Sequence, residues 1–132
     1  MQADLQPDGS WVCKRVTLDT TGVNGFLISP GGKTPYKIQA EAELGGFREL
    51  RSYPINEDGS LGPYVALNHF GNDHPEPQRG IDGACLDSKS DIVGTAGSWV
   101  NGTGPMIYVW TPQGHVLSTH PLPVGVDMPT TC

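Results

Sequence analysis

Apolar and polar residues alternate over short stretches of this chain, and almost no stretch keeps the spacing of an amphipathic helix. Each alternating run is broken by Gly, Pro, Asn, Asp or Ser, which predicts short β-strands joined by turns. Strands are expected from Trp11 to Leu18, Phe26 to Ser29, Tyr36 to Ala40, Glu49 to Ile55 and Tyr64 to Phe70. Further strands are expected from Gly83 to Leu86, Ile92 to Ala96, Met106 to Trp110 and Val116 to Leu122. The breaks carry turn chemistry: Pro7-Asp8-Gly9-Ser10, Pro30-Gly31-Gly32-Lys33, Asn56-Glu57-Asp58-Gly59-Ser60, Asp87-Ser88-Lys89-Ser90 and Pro112-Gln113-Gly114. Asp-Gly steps supply the positive φ that tight hairpins need. Asn72 to Arg79 and Gly97 to Pro105 read as loops.

These pieces repeat. One unit runs strand, Asp-Gly or Gln-Gly turn, strand, loop, and then a short strand opened by a small residue and a polar one. It leads from Pro7-Asp8-Gly9 to Gly22-Val23-Asn24-Gly25, from Glu57-Asp58-Gly59 to Gly80-Ile81-Asp82-Gly83, and from Pro112-Gln113-Gly114 to Pro129-Thr130-Thr131-Cys132. The intervals from Asn24 to Asp82 and from Asp82 to Thr131 are about fifty to sixty residues, which suits four-stranded propeller blades. The expected class is therefore all-β, as a partial β-propeller. An ordinary β-sandwich stays open on periodicity alone.

The 132 residues suit one domain. With 18 Gly, 12 Pro and 36% hydrophobic residues, the composition matches many short strands and turns, and the recurring strand patterns argue against a disordered chain. The formal charge of −6 comes without any basic stripe, which excludes nucleic acid as the expected partner. Cys13, Cys85 and Cys132 are odd in number and widely spaced, so neither a disulfide framework nor a zinc site is read from them. Cys13 and Cys85 fall in apolar runs and are expected to be buried. No apolar run approaches the roughly 20 residues of a membrane span. No basic and apolar leader opens the chain, so no signal peptide is expected within it. The compartment stays open: cytoplasmic or, for a truncated chain, periplasmic or secreted.

Candidate chemistry sits at the openings of the repeat. The first strand of a propeller blade lines the central channel, so Asn24 and Asp82, at equivalent places, would point toward one axis. Oxygen donors converging from successive blades suit Ca²⁺, a hard cation. Asn-Gly and Asp-Gly are also ordinary turn dipeptides, and without further information that reading is favoured over the first.

The stretch from Gly22 to Tyr36, GVNGFLISPGGKTPY, looks like G-P-N-G-I-x-x-S-P-D-G-K-T-L-Y. Gly80 to Ser88, GIDGACLDS, looks like P-D-G-M-x-x-D, and Val126 to Cys132 looks like R-P-T-N-C. Arg48 to Pro54 and Asp58 to Pro63 are also typical. The chain thus resembles the senescence marker protein, gluconolactonase and luciferin-regenerating enzyme-like family of six-bladed propellers. The resemblance implies a metal-dependent hydrolase of sugar lactones. It implies that Asn24 and Asp82 ligate one catalytic cation, Ca²⁺ or another divalent ion such as Zn²⁺ or Mg²⁺, and that Asp82 also acts as general base. Val23, Pro35 and Thr131 depart from the pattern, and the family's third ligand, a first-blade glutamate, has no counterpart ahead of Met1.

About three four-stranded blades of the six-bladed ring are accounted for, so residues 1–132 are expected to form a partial propeller domain and a fragment of a longer enzyme. An open arc leaves unpaired edges, which predicts self-association. The alternative reading is a non-catalytic truncated propeller that acts as a binding or pairing module. Glu41 is weighed as an extra channel carboxylate, with a loop or solvated position favoured for it. His69, His74 and Arg79 are weighed as groups at the channel mouth, with a surface role favoured for them and for His115 and His120. Trp11, Trp99 and Trp110 are expected to pack between strands. No Gly-x-Ser-x-Gly elbow occurs, which argues against a serine hydrolase.

Overall fold

The computed structural model describes residues 2–20, 22–40, 48–70, 80–97, 105–127 and 129–130. Ten strands and no helix occur among them. They are β1 (Gln2–Leu5), β2 (Trp11–Lys14), β3 (Val23–Ile28), β4 (Pro35–Ala40), β5 (Arg48–Ser52), β6 (Val65–His69), β7 (Ile81–Leu86), β8 (Ile92–Ala96), β9 (Met106–Trp110) and β10 (Val116–Pro121). The chain is all-β. Each strand pairs antiparallel with its sequence neighbour, giving a β1-β2 hairpin and two four-stranded meanders, β3-β4-β5-β6 and β7-β8-β9-β10. The sheets do not close on one another. Two of the three expected four-stranded units are present as such, and the first is a two-stranded hairpin.

The turns follow from local chemistry. Gly9, Gly59 and Gly114 have φ of 82°, 77° and 88°, and their N–H groups donate to Gln6, Asn56 and Thr111 carbonyls at 3.0, 2.9 and 2.8 Å. In the first two turns an aspartate fixes the corner: Asp8 Oδ1 accepts from the Ser10 amide, and Asp58 Oδ1 from the Ser60 amide, each at 2.9 Å. These bonds hold both carboxyls below the usual aspartate range, with the serine hydroxyls contributing most. The Asp87–Asp91 turn does the same with Ser90, at φ 70°, where the others have glycine.

The hydrophobic core lies between the two meanders. Tyr36, Ile38, Leu50 and Phe70 from one side meet Ile81, Ile92, Ala96 and Trp110 from the other. Phe70 lies 5.9 Å from Trp110, and Tyr108 stacks on Trp110 with centroids 5.2 Å apart. Strand β3 packs on β7, and β4 also reaches it. Pro35 takes the first position of β4, where a missing N–H is tolerated.

Four expectations need correction. The strand beginning at Trp11 stops at Lys14, because Arg15–Thr20 leaves the hairpin and lies as a strap over the outer face of the β3-β6 sheet. Cys13 is exposed rather than buried, and Trp11 is 63% exposed, because the two-stranded hairpin has no second layer there. Strand β1 precedes the first one expected; four residues are too few for alternation to announce.

Candidate functional site

Strands β3 and β7 open their meanders and pack against each other. Asn24 and Asp82 stand at the same place in each. Between β3 and β4 the pairing runs Val23 with Gln39, then Gly25 with Ile38, so Asn24 is the extra residue of a bulge. Between β7 and β8 it runs Ile81 with Ala96, then Gly83 with Thr95, so Asp82 is the extra residue of a second bulge. A bulge re-aims a side chain that the pleat would otherwise direct, and bulges concentrate beside functional sites. The Asn24 residue is exposed and Asp82 half-buried.

The local sequence explains both bulges. A Cβ on Gly25 would stand 2.9 Å from Ile38 Cδ1, so a glycine lets β3 approach the buried isoleucine. At the second bulge Thr95, 3% exposed, braces the backbone: its hydroxyl donates to the Gly83 carbonyl and accepts from the Gly83 amide, both at 3.3 Å.

Among the described residues no three His, Cys, Asp or Glu side chains converge in a way that would hold a metal ion. Glu41, His74, Arg79, Trp99, Thr131 and Cys132 lie outside the described residues. His69 sits on β6, the strand of its sheet farthest from β3, and its Nδ1 lies 3.3 Å from Glu49 Oε1. His115 is exposed in its turn, and His120 is exposed beside Ser118 at 2.9 Å.

A second polar group was not foreseen. On the face of the β3-β6 sheet opposite the core, Lys37, Glu49 and Arg51 are 7%, 5% and 4% exposed. Arg51 Nε and Nη2 both lie 2.6 Å from Glu49 Oε2, and Arg51 Nη1 donates to the Asp19 carbonyl at 2.8 Å. The Arg51 guanidinium also stacks 4.1 Å from the Tyr64 ring centroid. Lys37 donates to the hydroxyls of Thr17 and Thr20 on the strap, and its Nζ lies 3.7 Å from Asp19 Oδ1. Burial holds the Lys37 pKa below its ordinary value, opposed by Asp19 and reinforced by Arg51 and Arg15. Burial also pushes the Tyr53 phenol up to about 12. In the sequence these charges alternate with apolar residues as a solvated face would. The only available signal was that Arg48-Glu49-Leu50-Arg51 crowds three charges into one strand. Comparison with models of known families and with curated proteins finds no match to this chain.

Proposed function

We propose that this chain is a metal-dependent hydrolase of sugar lactones, or part of one, in which Asn24 and Asp82 are ligands to a Ca²⁺ ion. The observation that carries the reading is the equivalence of the two bulges, on first strands that pack together. The propeller arrangement belongs to the same proposal. Its supports are the meander order of both sheets, the contact between their first strands, and the recurrence of the same hairpin turn at Gly9, Gly59 and Gly114.

The donor set fits a hard cation. An amide oxygen and a carboxylate are ligands of the kind Ca²⁺ takes, and they supply part of its coordination sphere of roughly six to eight oxygens. When bound, the cation supplies Lewis acidity to the lactone carbonyl. As general base, the Asp82 carboxylate would accept a proton from the attacking water. Serving both roles requires that one carboxylate oxygen hold the cation while the other faces the water. Thr95 is a positioning residue, because it holds the backbone on which Asp82 is displayed.

Calorimetric titration of the chain with Ca²⁺, paired with gluconolactone turnover, tests the reading. Binding at micromolar concentrations that is lost in Asp82→Asn, with turnover lost alongside, supports it. An Asp82→Asn chain that binds and turns over as before removes it.

A non-catalytic pairing module is the second reading. It is favoured by large apolar side chains left exposed at both ends of the strand order, including Trp11 at 63% and Val124 at 94%.

A further inference from the structure

The strap formed by Arg15–Thr20 does not lie flat on the sheet. It lines a pocket of about 330 Å³ whose polar lining is Arg15, Lys37, Thr17 and Thr20 and whose apolar lining includes Val23, Phe26 and Leu61. That volume falls at the low end of the range of small-molecule sites, ~300–1,000 Å³. Val16, Phe26 and Leu61 also border a second hollow of about 370 Å³, which continues toward Ile28, Pro35 and Ile55. A polar head and an apolar trough thus share Val16, Phe26 and Leu61 in their walls.

The charges at the head do not cancel. Arg51 is matched by Glu49 at 2.6 Å and Lys37 by Asp19 at 3.7 Å. Arg15 makes no ion pair among the described residues, and it repels Lys37. A surplus cation in a chain of net charge −6 runs against the overall balance. An anion at this end would relieve the repulsion between Arg15 and Lys37 and take its charge-assisted hydrogen bonds from Arg15, because the Lys37 ammonium already donates to Thr17 and Thr20 and faces Asp19. The trough decides what kind of anion: an inorganic ion would leave Phe26, Leu61 and Ile28 uncovered, whereas an apolar body would bury them.

We infer that the pocket binds an amphipathic carboxylate, with Arg15 and Lys37 on its head and Phe26 and Leu61 along its body. Neither Asn24 nor Asp82 lines this pocket, although Val23 beside Asn24 does, and the inference does not rest on the lactonase reading.

Titration of ¹⁵N-labelled protein with octanoate, followed by amide shifts, is the test. Shifts should gather at Arg15–Thr20, Phe26, Lys37 and Leu61. Arg15→Gln should weaken binding about tenfold, the loss expected for one charge-assisted hydrogen bond. Arg15 is exposed, so this variant carries the test whether or not Lys37→Met folds. Octan-1-ol and inorganic phosphate each hold half of the recognition and should bind at least about tenfold more weakly than octanoate. Equal affinity for either control, unchanged affinity in Arg15→Gln, or shifts centred elsewhere would overturn the assignment.

Discussion

At the residue scale the turn glycines are not equivalent, and the difference can be measured. Gly9 and Gly114 share a positive φ, 82° and 88°, in matching turns. A Cβ on Gly9 meets nothing within 4 Å, whereas on Gly114 it would stand 2.4 Å from the Leu67 carbonyl oxygen. Backbone cannot move aside as a flexible side chain can. Gly9→Ala should therefore cost only the left-handed penalty, about 1–2 kcal/mol. Gly114→Ala adds a steric conflict to that penalty and should cost roughly 2–5 kcal/mol. Urea unfolding of both variants checks the ordering, and equal losses would contradict it. The Asp-Gly turns were legible because the chemistry is contained in adjacent residues. Tyr53 was not, since nothing near it in sequence announces its burial. Its folded pKa of about 12 stands above the ordinary 10.0, so the fold favours the protonated phenol. That contribution is whole below pH 10 and is lost as pH rises toward 12. Stability should decline through this window in the wild type, and less in Tyr53→Phe.

At the element scale, β5 and β8 each hold something together through one side chain. On β5, Glu49 Oε2 accepts from Arg51 at 2.6 Å, and its Oε1 lies 3.3 Å from His69 Nδ1. Removing its charge strands a buried guanidinium, so Glu49→Gln should destabilise by roughly 3–5 kcal/mol. The double variant Glu49→Leu with Arg51→Met should recover part of that loss, because no buried charge is then left alone. On β8, Thr95→Val keeps the shape and deletes both bonds to Gly83. About 1–2 kcal/mol of stability should go with them. If the cation reading holds, Ca²⁺ affinity should fall in this variant although no ligand is touched; an unchanged affinity would mean that the bulge does not depend on the threonine. The strands themselves were largely readable, since turn residues bracket each one. The bulges were legible only indirectly. Asn24 and Asp82 could be matched through the repeat, but a register slip depends on the partner strand, and no local pattern encodes it. The strap escaped for a similar reason: Arg15–Thr20 continues the polarity of β2, while the bonds that hold it to the sheet come from the distant Lys37 and Arg51.

At the scale of the whole molecule, one core joins two sheets and leaves the outer ends uncovered. The all-β class and the repeated unit were legible from turn spacing, whereas the short first sheet was not, because a hairpin and half of a larger sheet share one local pattern. Leu5, Trp11 and Val12 are 52–63% exposed on the β1-β2 hairpin, and Val116 and Leu117 on β10, with Val124 and Val126 just beyond it, are 43–94% exposed. Apolar groups in such numbers favour association, and the two ends differ in sequence and shape. Contact between unlike ends is heterologous, and such contacts close into a ring or run on as a filament. Sedimentation velocity should therefore show mass rising with concentration. The rise should persist in high salt, because apolar contact is not screened as charge is. Trp11→Gln with Val12→Gln at one end, and Leu117→Gln with Val124→Gln at the other, should each restore the monomer. If only one pair does so, the contact joins like ends. A monomer at every concentration would mean that neither end is sticky enough to pair, and the pairing-module reading would lose its support.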